Sequence, residues 1–356
     1  MPNEPLGISG AEPPLMSKPV KITQSEKLHL FISYDLCDFT KFKGEYNDKW
    51  PSVVQHMWTA LTDKSNLLSK MDLWKFKGDE FIFHQKVNTL TSMADCIKTA
   101  YDCMRGLESW LRVFIEDNLV KKSLDKKPVR VKAGAWLVNT CPISWEKSFS
   151  TDYKNYKPLK SNYRIKSATN AVIDGDFIGI NMDEGFRMCG CADKGRFLVD
   201  PKIAFMFHLL HEALINPDFQ IPKKLSEEYI EAGYSAAFLA DFLSECKASN
   251  NNLTKTERGD VIKFAENLAF VGLKHCKGVW GDRHYPIIWY ASKWKDLQEI
   301  PRKNDSFVVK ILNRGTPEAN LDKLGSLFNR ACAIDNLSKI MSLVKIAPTK
   351  VLVDYE

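Results

Sequence analysis

From Leu28 the chain runs Leu-His-Leu-Phe-Ile-Ser-Tyr and then meets a carboxylate at Asp35, followed by a short turn and Phe39-Thr40. That pattern predicts an apolar strand carrying Asp35 at its end and a helix just beyond. Val53, Val54, Met57, Trp58 and Leu61 recur at helical spacing and predict a helix over 53–68. Apolar alternation on both sides of Gly78-Asp79, from Leu73 to Phe83, predicts a hairpin with that dipeptide at its tip. Met93, Ile97, Ala100, Met104, Leu107, Leu111, Phe114 and Ile115 recur at three and four and predict a long helix over 89–118. Strands follow at 129–138 and 195–200, the second entering a helix at Pro201, the place proline prefers at a helix start. Residues 205–268 carry almost entirely helical signal, including 227–248 and 256–271, before strand character returns over 279–291. The expectation is an α+β sandwich with a mixed sheet and helices on one face.

The pattern also divides the chain. Pro2, Pro5, Pro13, Pro14 and Pro19 in a segment with few large apolar groups predict a flexible tail over 1–25. The folded core is expected over 26–204 and 269–291, interrupted by a helical insert over 205–268. An α/β extension is expected over 292–356. Apolar content of 44% and charged content of 26% are those of a soluble globular protein. No apolar run reaches the ~18 residues of a membrane span, and a polar, Pro-rich start is not a secretory signal. Nine scattered cysteines predict reduced thiols in the cytoplasm rather than disulfides. A net charge of +6 is too dispersed to argue for nucleic acid.

Candidate chemistry centres on Asp35 and Asp79, 44 residues apart, a distance that accommodates one helix and one returning strand. On neighbouring strands the two carboxylates reach one sheet edge, where they repel unless cations neutralise them. Hard oxygen ligands select Mg²⁺ or Mn²⁺, and the layout is that of a two-metal nucleotidyl-transfer site. Asp38 and Glu80 add acid nearby, though extra carboxylates of this kind are more often solvated strand-end groups. His208 and His211, three apart on a helix, read as a satisfied helix-face pair rather than a metal site.

Four motifs in order resemble the class III nucleotidyl cyclases, the adenylate and guanylate cyclase superfamily. Phe31 to Thr40 is similar to their strand-Asp-turn-Phe-Thr motif, and Lys75-Phe-Lys-Gly78-Asp79 to their Lys-x-x-Gly-Asp motif. Asp176-Phe-Ile-Gly179-Ile-Asn181-Met-Asp183-Glu-Gly-Phe-Arg187 follows their third motif without a gap, and Lys277-Gly278 before Tyr285–Tyr290 resembles their terminal hairpin. Two positions depart. Asp38 stands where the superfamily has a glycine in the phosphate-cradling turn. Asp183 stands where it has a transition-state asparagine, with Asn181 two residues earlier. These departures and the helical insert look like the bacterial pyrimidine cyclases of the Pycsar anti-phage systems.

The resemblance implies a ferredoxin-like, palm-type fold and a homodimer with two sites at its interface. It implies cyclisation of CTP to 3′,5′-cyclic CMP and pyrophosphate, with UTP as the alternative substrate and a separate effector protein reading the product. An adenylate cyclase and a degenerate nucleotide-binding module are further alternatives. Asp35, Asp79 and the Leu36 carbonyl are the expected ligands of two Mg²⁺ or Mn²⁺ ions. Phe39, Thr40 and Lys277 fall to the phosphates, Arg187 to the transferring phosphoryl group, and Asn181 or Asp183 to the ribose. Lys75 and Asp176 are the base-reading pair. A lysine offers only donors and a carboxylate only acceptors, so the pair suits the edge of cytosine or adenine, and uracil and guanine present the reverse pattern.

Overall fold

The structure, a computed structural model, describes residues 27–46, 48–62, 71–119, 129–144, 162–166, 176–221, 236–276, 284–293, 296, 317, 319–324, 340–341 and 343–347. The expected tail over 1–25, Lys277 and most of the expected extension over 292–356 lie outside the described residues.

Strand β1 (Lys27–Cys37) lies between β3 (Glu80–Lys86) and β4 (Arg130–Ser144) and runs antiparallel to both. β2 (Asp72–Lys77) pairs with the far side of β3. Helices α1 (Phe39–Glu45) and α2 (Trp50–Thr62) connect β1 to β2, and α3 (Leu90–Leu119) connects β3 to β4. A β-α-β-β-α-β chain with strands ordered β4-β1-β3-β2 is the ferredoxin-like arrangement. Beyond β4 the sheet continues through β7 (Phe197–Val199), β9 (His284–Tyr290) and β8 (Leu268–His275). β5 (Asn162–Lys166) pairs with the end of β4, and β6 (Phe177–Ile178) with β5. β4 is parallel to β5 and β7 while the other pairings are antiparallel, so the sheet is mixed and the fold is α+β.

Alternation along β1 assigns its two faces. Leu30, Ile32 and Tyr34 face α3, and the Tyr34 hydroxyl donates to the Ala100 carbonyl at 3.0 Å. Phe31 faces the other way, stacked on Trp136 at 5.4 Å and edge-on to Phe177 at 4.9 Å. That second face is covered by α4 (Ile180–Gly190), so the expectation of helices on one face alone is corrected. Gly185 makes the close approach possible: a Cβ there would lie 2.1 Å from the Trp136 indole nitrogen. The apolar matter of Phe31, Trp74, Trp136 and Phe177 draws a helix onto this face because it would otherwise meet water.

α5 (Pro201–Ile215) leaves β7 through Asp200, whose carboxylate accepts from the Lys202 amide at 2.9 Å as an N-cap. It packs against α6 (Ala236–Ala248) and α7 (Lys255–Glu266) and is buried on nearly every side. His208 and His211 lie in this core. His211 Nδ1 is 3.0 Å from Glu212. The His208 ring nitrogens have no hydrogen-bond partner among the described residues, and burial lowers its pKa to about 3. It is a neutral core group rather than half of a satisfied pair. The helix expected to run to Val271 stops at Glu266. Leu268 to Val271 is a continuously buried run that pairs with β9, and such a run is ambiguous by periodicity alone.

Cys191 and Cys276 are joined by a disulfide, against the expectation of free thiols throughout. They are 85 residues apart in sequence, and the sheet brings the end of α4 beside the end of β8.

Gly185→Ala should lower stability by about 1–3 kcal/mol, the usual penalty for overpacking. Thermal unfolding measures it, and an unchanged Tm would mean that α4 is not seated on Trp136.

Candidate active site

Register brings the acidic groups together. Asp35 pairs across the sheet with Glu80 on β3 and with Lys132 on β4, and Asp79 precedes Glu80 in the turn. Gly78 takes φ 69° at that tip, a left-handed conformation glycine adopts without penalty. Lys132 Nζ lies 3.0 Å from Asp35 Oδ2, and the Ser33 hydroxyl donates to Glu80 Oε1 at 2.7 Å. Burial works against the Lys132 charge, but Asp35 overcomes it and the ammonium pKa is raised. Burial pushes the Asp79 carboxyl above its ordinary value, and the neighbouring Asp35 charge adds to the rise. Burial likewise raises Glu80, against the Ser33 hydrogen bond.

Two cavities meet at this edge. One of about 410 Å³ is lined by Ser33, Asp35, Lys75, Lys77, Glu80, Ile82, Lys132, Phe186 and Cys189. The other, about 420 Å³, is lined by Asp35, Leu36, Asp38, Phe39, Thr40, Asp79, Lys132 and Lys194. Asp35 and Lys132 border both. Phe39 lines the second cavity although its ring is buried, packed against Phe42 and Trp50. Thr40 beside it is exposed.

Asp38 has φ 61°, the sole positive φ among the described non-glycine residues, and its carboxylate pairs with Lys194. The turn after Asp35 therefore contains a left-handed residue at Asp38. Aspartate is among the side chains that tolerate this conformation.

Lys75 Nζ lies 2.7 Å from Asp176 Oδ1 and 3.0 Å from Oδ2, so two residues 101 apart meet as an ion pair. Both are about half exposed, and Lys75 also sits over the Trp74 ring at 4.4 Å. On α4, Asn181 and Asp183 part company. Asn181 is buried and its Nδ2 donates to Glu184 Oε2 at 3.1 Å. Glu184 in turn accepts from the buried Lys202 Nζ at 2.8 Å. Asp183 and Arg187, one turn apart, lie on the exposed side of the helix with Ile180.

Lys132, Ser33 and Lys194 were not singled out from the sequence. The available signal was the pair of cations Arg130 and Lys132, alternating with Val129 and Val131, at the start of the otherwise apolar strand Val129 to Val138.

The donor set fits a hard divalent cation: Asp35 and Asp79 are close enough for one charge to raise the other's pKa, and the Leu36 carbonyl lines the same cavity. No group of three or more His, Cys, Asp or Glu side chains poised for a metal occurs among the described residues. Two carboxylates with water and substrate oxygens suffice for Mg²⁺, which keeps several waters.

No protein-family model matches the chain, and no curated protein matches its sequence. Among solved structures, it aligns with the adenylyl cyclase CyaB from P. aeruginosa at 11% identity and a TM-score of 0.39, over 79% of this chain and 98% of that one. An adenylate cyclase from Trypanosoma brucei aligns at 12% identity and a TM-score of 0.39, over 82% and 94%. The guanylyl cyclase Cya2 aligns at 12% identity and a TM-score of 0.35, over 80% and 98%. No described helix is long and apolar enough to cross a membrane.

Because the folded-state pKa of Asp79 is raised, its contribution to stability is present at low pH and lost as pH rises through the raised value. Asp79→Asn should therefore melt no lower than wild type at neutral pH without metal. Wild type should gain Tm with Mn²⁺ at pH 7.5 and lose that gain as Asp79 protonates, and the variant should lack it. A full Mn²⁺ response in the variant would remove Asp79 from the cation site. At position 38 the backbone predicts a different order: Asp38→Gly should be within about 1 kcal/mol of wild type, whereas Asp38→Val should lose about 1–2 kcal/mol or more. Equal melting of the two variants would contradict the left-handed turn.

Proposed function

We propose that the chain is a nucleotidyl cyclase acting on CTP, forming 3′,5′-cyclic CMP and pyrophosphate. The observation that carries this reading is the meeting of Asp35, Asp79 and Lys132 at one sheet edge, bordered by two cavities, with Lys75 of β2 paired to Asp176 just before β6. In the reaction the ribose 3′-oxygen bonds to the α-phosphorus, the bond to the β-phosphate oxygen breaks, and pyrophosphate leaves.

Asp35, Asp79 and the Leu36 carbonyl would hold Mg²⁺ or Mn²⁺, which when bound lowers the pKa of the 3′-hydroxyl and neutralises phosphate charge. Lys132 offers its ammonium to a phosphate oxygen at the same edge. The turn at Asp38 to Thr40 shapes the cavity on the phosphate side. Lys75 donates to the cytosine ring nitrogen while Asp176 accepts from the exocyclic amine, exchanging their mutual ion pair for two base contacts. Uracil offers the reverse pattern and leaves both groups mismatched, at about 1–3 kcal/mol each when buried; half exposure lowers that figure here.

Of the two ribose candidates, Asp183 fits better. Its side chain is exposed one turn from Arg187, whereas the Asn181 amide is spent on Glu184. Arg187 stabilises charge on the transferring phosphoryl group, a task for a planar and permanently charged fork. The motif resemblance implies a homodimer whose complete site takes Asp35 and Asp79 from one copy and Asp183 and Arg187 from a second, a reading that the exposure of both side chains on α4 supports. The role of the product as an anti-phage second messenger read by an effector protein rests on the motif resemblance alone, as does Lys277 at the triphosphate.

The test is purified protein with Mn²⁺ and each of the four ribonucleoside triphosphates, with products read by mass spectrometry. Cyclic CMP should dominate, vanish in Asp35→Ala, and fall about 10²–10³-fold in Arg187→Ala. Cyclic UMP instead would keep the chemistry and overturn the base assignment. Full product formation by Asp35→Ala, or no cyclic product from any triphosphate, would overturn the cyclase reading.

A further inference from the structure

On the α3 side of the sheet a cavity of about 340 Å³ is lined by Arg105, Glu108, Ser109, Arg112, Val129 and Arg130. Its charge is unbalanced. Glu108, the one acid among the described residues of the wall, is already engaged: its Oε2 accepts from Arg130 Nε at 2.5 Å and its other oxygen accepts from the Val131 amide. Arg105 and Arg112, two turns apart on α3, form no ion pair among the described residues. With Arg130 offset by Glu108, the wall keeps two exposed guanidinium groups, Arg105 and Arg112, that no carboxylate among the described residues pairs with. Arg196 lies close enough that burial, with Arg130 and Arg105 among its neighbours, lowers its own pKa.

Like charges gathered around a hollow repel one another, and an anion in the hollow removes that repulsion. Guanidinium forks match phosphate oxygens two at a time, and the Ser109 hydroxyl adds a further donor. We propose that this cavity is a second anion site, separate from the edge that carries Asp35, and that it takes the polyphosphate group of a pyrophosphate or nucleoside triphosphate through Arg105, Arg112 and Arg130.

The site has a physical route to the other. Arg130 lies so close over Gly195 that a Cβ there would sit 1.9 Å from Arg130 Nη2, and the adjoining Lys194 pairs with Asp38 in the turn after Asp35.

Titration calorimetry in EDTA, with the Asp35→Ala/Asp79→Ala protein as host, reads binding without turnover, so the result does not depend on cyclase activity. Pyrophosphate and CTP are titrated separately, with orthophosphate as the short-anion control. Pyrophosphate should bind, orthophosphate at least about tenfold more weakly, and adding Arg105→Ala and Arg112→Ala should weaken pyrophosphate about tenfold or more while leaving Tm unchanged. CTP binding with the same arginine dependence identifies a nucleotide as a source of the ligand, and pyrophosphate binding alone identifies the inorganic anion. Absence of pyrophosphate binding, or binding indifferent to the two arginines, would overturn the proposal. Arg105→Lys/Arg112→Lys separates fork from charge: recovery of less than full affinity is expected, and no arginine dependence at all in this pair and the alanine pair would again overturn it.

Discussion

The register of β1 is the constraint on which the site depends. β1 pairs along its length with β3 on one side and β4 on the other, so its residues have no freedom to slide independently of either neighbour. A slip of one residue would turn Asp35 from the α4 face to the α3 face and separate it from Glu80 and Lys132. The apolar positions prevent that slip, because Leu30, Ile32 and Tyr34 would leave the contact with α3 and Phe31 would leave Trp136. Core packing thus holds a carboxylate, a lysine and the acidic turn at one strand end.

The second support is α4, which is pinned by a polar core as well as an apolar one. Lys202 is buried with Nζ 2.8 Å from Glu184 and 3.2 Å from Asp200. Burial opposes its charge, but the two carboxylates overcome this and its pKa is raised. Removing one partner of such a group leaves a buried charge uncompensated, a penalty of about 3–5 kcal/mol. Glu184 lies on α4 and Asp200 at the start of α5, so this cluster ties the helix to the strand and helix that follow it. Together with the Gly185 contact it fixes which side of α4 faces outward, and hence the placement of Asp183 and Arg187.

What the sequence made legible follows from how each feature is encoded. Asp35 and Asp79 stand out because each interrupts an apolar pattern, and the α+β sandwich follows from long periodic segments such as 89–118, whereas its ferredoxin-like form is implied by the motif resemblance. Lys132 interrupts a pattern too, but its meaning depends on the β1–β4 register, which local periodicity does not contain. The choice between Asn181 and Asp183 depends on helix phase: Met182, Gly185, Met188 and Cys189 form the buried side, which also takes in Asn181 through its bond to Glu184. Nothing local marks Glu184 and Lys202 as buried, because polar side chains are usually exposed. Asp38 appeared as a departure from a glycine motif, and the backbone there takes a left-handed φ of 61° that aspartate tolerates. The Cys191–Cys276 bond joins elements whose nearness arises only from the completed sheet.

The same electrostatics bear on how the edge would take up ligands under the proposed function. Lys132 already neutralises Asp35 at 3.0 Å, so any cation bound by Asp35 must compete with a tethered ammonium. A cation alone would leave Lys132 half-buried beside a second positive charge, which its surroundings disfavour. A triphosphate arriving with the cation supplies the ammonium with a new anion and removes that repulsion. Cation and phosphate binding are then linked, each favouring the other by the same free energy, and a half-filled site is disfavoured. The ion pair thereby balances the Asp35 charge at this edge while favouring the pair of ligands that the proposed chemistry requires.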